Sequence, residues 1–122
     1  MAEFDASTTQ AYLTFQFRGR VEGKDIRNRQ EHWYASKHFN PAIPVLWDLR
    51  DCSPGESFLD ITHSAQSVAD RTESAHRTGR SAILVSSDLM ESTVNAIMHA
   101  THWRPQSRLF RSLDEAIDWL TE

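Results

Sequence analysis

A strand that runs straight into a capped, one-faced helix ends this sequence, and it limits the fold more than any other feature. Leu109 and Phe110 centre a short strand, Ser112 stands where a helix cap is needed, and Glu115 follows three residues later. Serine at the cap and glutamate at the third helical position satisfy backbone amides that a helix start otherwise leaves unbonded. Leu113, Ala116, Ile117 and Leu120 then fall on one side at helical spacing, so the helix has a single face to bury. A strand feeding such a helix is the repeating unit of an α/β sheet.

The same unit recurs upstream. Leu13, Phe15 and Phe17 alternate with Tyr12, Thr14 and Gln16, as in a half-buried strand running on toward Val21. Residues 2–6 are short enough to pair with it as an edge strand. Gly23-Lys24-Asp25 opens a polar helix extending to about Lys37, whose thin apolar stripe is Ile26, Trp33 and Tyr34 or Ala35. Asn40-Pro41 and Ile43-Pro44 break it, because the residue before a proline is pushed out of the helical region. Val45–Leu49 and Ala82–Val85 are apolar throughout, as central strands buried on both faces are. Between them, Ser53-Pro54-Gly55-Glu56 has the form of a capping box with proline at the first helical position, and a start at Ser57 competes with it. Phe58, Ile61, Ala65, Val68 and Ala69 give that helix its inner face, with Gly79 as its end. Ser87 or Asp88 caps the next helix, striped by Met90, Val94, Ile97 and Met98, and Pro105 ends it. The order expected is (β)-β-α-β-α-β-α-β-α. That is a single α/β domain over 1–122, a mixed, mostly parallel sheet of four or five strands with four helices.

Composition removes several functions. A formal net charge of −4 argues against nucleic acid as a partner, since its phosphates call for a basic field. One cysteine, Cys52, allows no internal disulfide and suits a reducing compartment. The opening Met1-Ala2-Glu3-Phe4-Asp5 lacks the basic and apolar regions of a signal peptide. No apolar run approaches the roughly 20 residues that span a bilayer. A cytoplasmic protein, touching a membrane at most peripherally, is the expectation.

Three stretches together resemble the SpoIIAA-like, or STAS-like, family in its stand-alone bacterial branch. They are Leu46-Trp47-Asp48-Leu49-Arg50, then Ala82-Ile83-Leu84-Val85-Ser86-Ser87-Asp88-Leu89, then the closing run from Phe110 to Leu120. The resemblance extends from about Leu13 to Leu120. It implies a non-enzymatic regulatory or adaptor module without a cofactor, binding a protein partner or a small apolar or lipidic ligand. In the anti-sigma antagonist branch a serine after the Asp-Leu strand accepts phosphate, and counting on from Asp48 brings Ser57 to that position. Glu56 stands where that branch has aspartate, and Phe58 and Leu59 replace its second serine and glycine.

Each candidate site has a plainer alternative. Ser57 at a helix start would place a phosphate near free amides and the positive end of the helix dipole, but capping is the default use of serine there. His99 and His102 lie three apart, with His32, His38, His63 and His76 elsewhere. They match no zinc pattern, so no metal and no catalytic residue is assigned. Asp48 and Asp51 bracket a strand end where α/β sites tend to lie, yet Asp48 bonding neighbouring backbone and Cys52 packing as a small hydrophobe explain them more simply. Trp33, Tyr34 and Phe39 ride on a helix bearing Lys24, Arg27, Arg29 and Lys37, a pattern suited to anionic headgroups, although an ordinary solvated helix docking Ile26 and Trp33 on the sheet is the plainer reading. If the helix at about 23–39 were a movable lid, it would expose an apolar groove against Phe15, Phe17, Trp47 and Met90. Arg104, Arg108 and Arg111 cluster along the sequence, where an acidic partner would find them. The oligomeric state stays open, with a homodimer among the options.

Overall fold

Alternation along the second strand sets the layout of the whole molecule. A computed structural model describes residues 3–8, 11–37, 39–55, 78–100 and 107–122. Its strands are β1 (Glu3–Thr8), β2 (Leu13–Val21), β3 (Val45–Pro54), β4 (Ser81–Leu84) and β5 (Ser107–Phe110). The helices among the described residues are α1 (Gly23–Tyr34), α2 (Asp88–Ala100) and α3 (Leu113–Leu120). The sheet runs in the order β1-β2-β3-β4-β5, with β2 to β5 parallel. β1 is the antiparallel edge, joined to β2 as a hairpin whose last pair is Thr8 with Leu13. This is the mixed, mostly parallel sheet that the sequence implies. The expected helix between β3 and β4 falls mainly on 56–77, outside the described residues.

Each face of the sheet carries its own apolar cluster. Leu13, Phe15, Phe17, Val45, Trp47, Leu49, Ile83 and Val85 meet Ile26 and Trp33 of α1 and Met90, Val94 and Ile97 of α2. Leu46, Ala82 and Leu84 point the other way, onto Ala116, Trp119 and Leu120 of α3. Neighbouring residues of β3 and β4 thus serve opposite layers, which is why both strands read as unbroken apolar runs.

Local signals set the helix starts. Ser87 Oγ accepts from the Met90 amide at 3.1 Å and Ser112 Oγ from the Glu115 amide at 3.4 Å. At α1 the amide of Glu22 donates to Asp25 Oδ2 at 2.8 Å. α1 stops at Tyr34, short of Lys37, as the Ala35 and Ser36 amides bond back to Glu31 and Trp33 carbonyls.

One sequence expectation is corrected. Ser53 and Pro54 do not open a helix; they extend β3, opposite Arg20 and Val21 of the long β2. The pairing with β4 ends at Asp48, so Pro54 stands on an edge, where a missing amide breaks no ladder bond. Beyond it the Gly55 amide still bonds the Val21 carbonyl at 2.7 Å. A strand partner distant in sequence outweighed a local cap signal.

Candidate functional site

Sites in parallel α/β sheets gather outside the carboxyl ends of the strands, and here that edge is built on a bulge. Gln16 pairs with Asp48, but Arg18 pairs with Asp51; β3 spends one extra residue. Such a bulge reverses which residues point inward and re-aims the side chains beyond it. Trp47 and Leu49 face the α1–α2 layer before it, and Cys52 packs against the same layer after it.

Side chains close the polar groups that the bulge disturbs. Asp48 is buried, and its Oδ1 accepts from the Arg50 amide at 3.1 Å and from Arg50 Nε at 3.0 Å. Its Oδ2 takes Arg50 Nη2 at 2.8 Å. The Arg50 carbonyl accepts from Ser86 Oγ at 2.7 Å, tying the bulge to the β4–α2 loop. Cys52 Sγ donates to the Phe17 carbonyl at 3.0 Å. Asp48 therefore bonds neighbouring backbone, as the simpler sequence reading has it. The hydrogen bond with Asp48 raises the Arg50 pKa above its ordinary value, against a smaller desolvation effect.

Cys52 is chemically quiet. Burial first, then the carboxylates of Asp48 and Asp51, push its thiol from 9.0 up to about 12. The thiolate is the nucleophile in alkylation and disulfide exchange, so iodoacetamide at pH 8 should label native Cys52 far more slowly than the denatured chain. The unfolded thiol loses its proton first as pH rises, so this group's stabilising contribution is complete below the ordinary value of 9.0 and fades as pH climbs toward its folded value. Equal labelling of folded and unfolded protein would contradict this environment.

The rim beside the bulge is exposed and charged. Arg111, just past β5, reaches Asp88 Oδ1 and Glu91 Oε2 with Nη1, both at 2.9 Å, and the Ser86 carbonyl with Nη2 at 2.7 Å. Hydrogen bonds to Asp88 and then Glu91 raise its pKa. It pins the turn before α3 to the first turn of α2. Between these two acids in sequence stands Leu89, 58% exposed and the one large hydrophobic side chain left in solvent among the described residues.

The other sequence candidates lie elsewhere. Trp33, Trp47 and Met90 are buried, and Tyr34 and Phe39 pack on the same cluster. The Trp33 ring sits 5.5 Å from Phe15, 5.1 Å from Tyr34 and 5.0 Å from Phe39. Trp47 lies 4.9 Å from Phe15. All five residues belong to one apolar cluster between the sheet and the helices α1 and α2. Ser57, His38, His63, His76, His102 and Arg104 lie outside the described residues. His32 and His99 are exposed, and no three His, Cys, Asp or Glu converge among the described residues. No described helix is long and apolar enough to cross a membrane. Sequence reasoning missed the bulge, the Arg111 bridge and the exposure of Leu89; a leucine at helical spacing beside Met90 carries no mark of facing outward.

Comparison with known proteins places this arrangement. No curated protein matches the chain. Among solved structures, an anti-sigma factor antagonist from Mycobacterium paratuberculosis superposes with a TM-score of 0.66 at 12% identity, covering 100% of this chain and 96% of its own. An uncharacterized protein of the DUF3478 family with a SpoIIAA-like fold, from Shewanella loihica PV-4, gives 0.59 at 18% identity, covering 98% and 93%. The anti-sigma factor antagonist SpoIIAA in its unphosphorylated form gives 0.59 at 13%, covering 96% and 95%. At these identities the superpositions speak for the fold. The SpoIIAA-like family model matches residues 12–121, four of the five strands and all the described helices, and the chain belongs to the SpoIIAA-like family.

Proposed function

We propose that this domain is a non-enzymatic regulatory or adaptor module that docks a protein partner on the carboxyl edge of its sheet. Leu89 is the observation that carries the reading. An isolated exposed leucine is ordinary, but this one sits on a helix turn fixed by the Ser87 cap and by Arg111, beside the Ser86–Arg50 bond. A rigid apolar anchor inside a polar rim is the arrangement of an interface hot spot. The two groups nearest to reaction chemistry are already committed, Asp48 to Arg50 and Cys52 to Phe17, which favours binding over catalysis. Two structural neighbours are anti-sigma factor antagonists by name, and a partner of that regulatory kind fits this edge. Ser57 is the proposed phosphoacceptor of the same switch.

The test is quantitative affinity purification from the native cells, comparing wild type with Leu89→Asp and with Arg27→Asp on the exposed side of α1. One specific protein should be retained by wild type and Arg27→Asp and depleted at least about tenfold by Leu89→Asp, the range of a hot-spot residue. Equal recovery with Leu89→Asp would reject the edge. Ser57→Asp should weaken the same complex while Ser57→Ala keeps it, and identical binding by both would reject the phospho-switch. Co-sedimentation with anionic vesicles, lost at high salt, would instead support peripheral membrane binding through the basic side of α1.

A further inference from the structure

Arg108 and Arg111 are neighbours in sequence, but the fold sends them to opposite ends of the sheet. Arg111 joins the carboxyl edge. Arg108 stands in β5 opposite Ala82, which faces α3 with Leu84. Alternation along a strand then gives Arg80, two residues before Ala82, the same face. Both guanidinium groups stack on one indole: the Cζ of Arg80 is 5.0 Å from the Trp119 ring centroid, and that of Arg108 is 5.1 Å from it. Phe110 backs the same ring at 5.6 Å.

We propose that Arg80 and Arg108, held on Trp119, form a subsite for a carboxylate of an acidic protein segment, with Glu122 as its internal stand-in. Two cations on one ring lie within about 10 Å of each other, on the scale of the screening length at physiological salt, so both act on an anion that reaches them. An oxyanion that reaches both gains hydrogen bonds from planar, fork-shaped donors. Stacking fixes both side chains beforehand, which reduces the ordering cost of binding. Arg80 also donates to the Trp119 carbonyl at 2.6 Å. That bond neutralises the negative end of α3, which would otherwise disfavour an anion. The Glu122 carboxylate already approaches Arg80 Nη1 at 3.9 Å while its side chain is 69% exposed. A ligand carboxylate takes the place of this loosely held one. The site is separate from Leu89, so its failure would leave the docking edge untouched.

The test titrates triglutamate peptide into isotope-labelled protein, following the Trp119 indole and Arg Nε–H resonances. Saturable shifts confined to Trp119, Arg80 and Arg108 are expected. Arg108→Gln should weaken the response about two- to fivefold, the scale of an exposed ion pair. Glu122→Gln should tighten it about two- to fivefold, the scale of a surface ion pair removed as competitor. A linear response matched by sodium chloride, or no tightening with Glu122→Gln, would overturn the subsite. A response to inorganic phosphate without one to the peptide would overturn its assignment to carboxylates.

Discussion

Trp33→Ala should lower unfolding stability by about 3–5 kcal/mol, the range for truncating a large aromatic in a packed core. Such a loss is a large share of the roughly 5–15 kcal/mol that keeps a domain folded. Trp33 is 8% exposed and contacts aromatic rings from β2, from its own helix and from the segment after it. Of the α1 side chains only Ile26, Gln30 and Trp33 are buried, so one ring supplies most of the apolar anchor of that helix. For a chain of this size the midpoint temperature should fall by about 10–20 °C, and Trp33→Phe should recover a good part of it. Thermal unfolding of the three proteins measures this directly. A near-neutral Trp33→Ala would mean that α1 is weakly docked and would favour the lid reading of residues 23–39.

The second large effect comes from the backbone. Gly79→Ala should destabilise by about 2–3 kcal/mol, the upper part of the overpacking range. A Cβ at Gly79 would fall on the carbonyl oxygens of Ala42 and Ile43. That approach is held by the Thr78 and Gly79 amides, which bond the Pro41 carbonyl at 2.9 and 3.0 Å. Neither chain can retreat without disturbing the bond from the Val45 amide to the Arg80 carbonyl at 2.9 Å, where β3 meets the start of β4. Gly55→Ala is the contrast. Its Cβ would meet the carboxylate of Glu22, the far end of a flexible side chain that can move aside by giving up its capping-box contact at the start of α1, so the cost should be about 1 kcal/mol, typical of a lost helix cap. Urea midpoints for the two variants should differ clearly, and equal values would show that the Ala42–Ile43 turn yields.

These two positions show what the sequence could and could not convey. Apolar alternation in Leu13–Phe17 and the unbroken runs at Val45–Leu49 and Ala82–Val85 are consequences of burial, so they reveal the sheet. Ser87 and Ser112 cap through contacts three residues away, which any reader of the chain can see. Gly79 reads as a helix end, because its close neighbours, Ala42 and Ile43, are nearly forty residues distant. The bulge in β3 exists only against β2, and so Ser53-Pro54 gave a cap signal that pairing overrode. The spacing of Ile26 and Trp33 already favours docking of α1 on the sheet, where both are buried, whereas the return of Phe39 onto Trp33 depends on the turn beyond the helix. Arg108 and Arg111 looked like one cluster until strand direction separated them. What was legible depends on neighbours along the chain; what was not depends on neighbours across the fold.

The account rests on Leu89 and its fixed rim as the surface that a partner reads. A photo-crosslinking residue placed at 89 in the native cells, compared with one at the exposed position 28 on α1, addresses that surface most directly. The account predicts a discrete protein adduct from position 89, diminished by Ser57→Asp, and none from position 28. Adducts from position 28 with none from position 89 would contradict it.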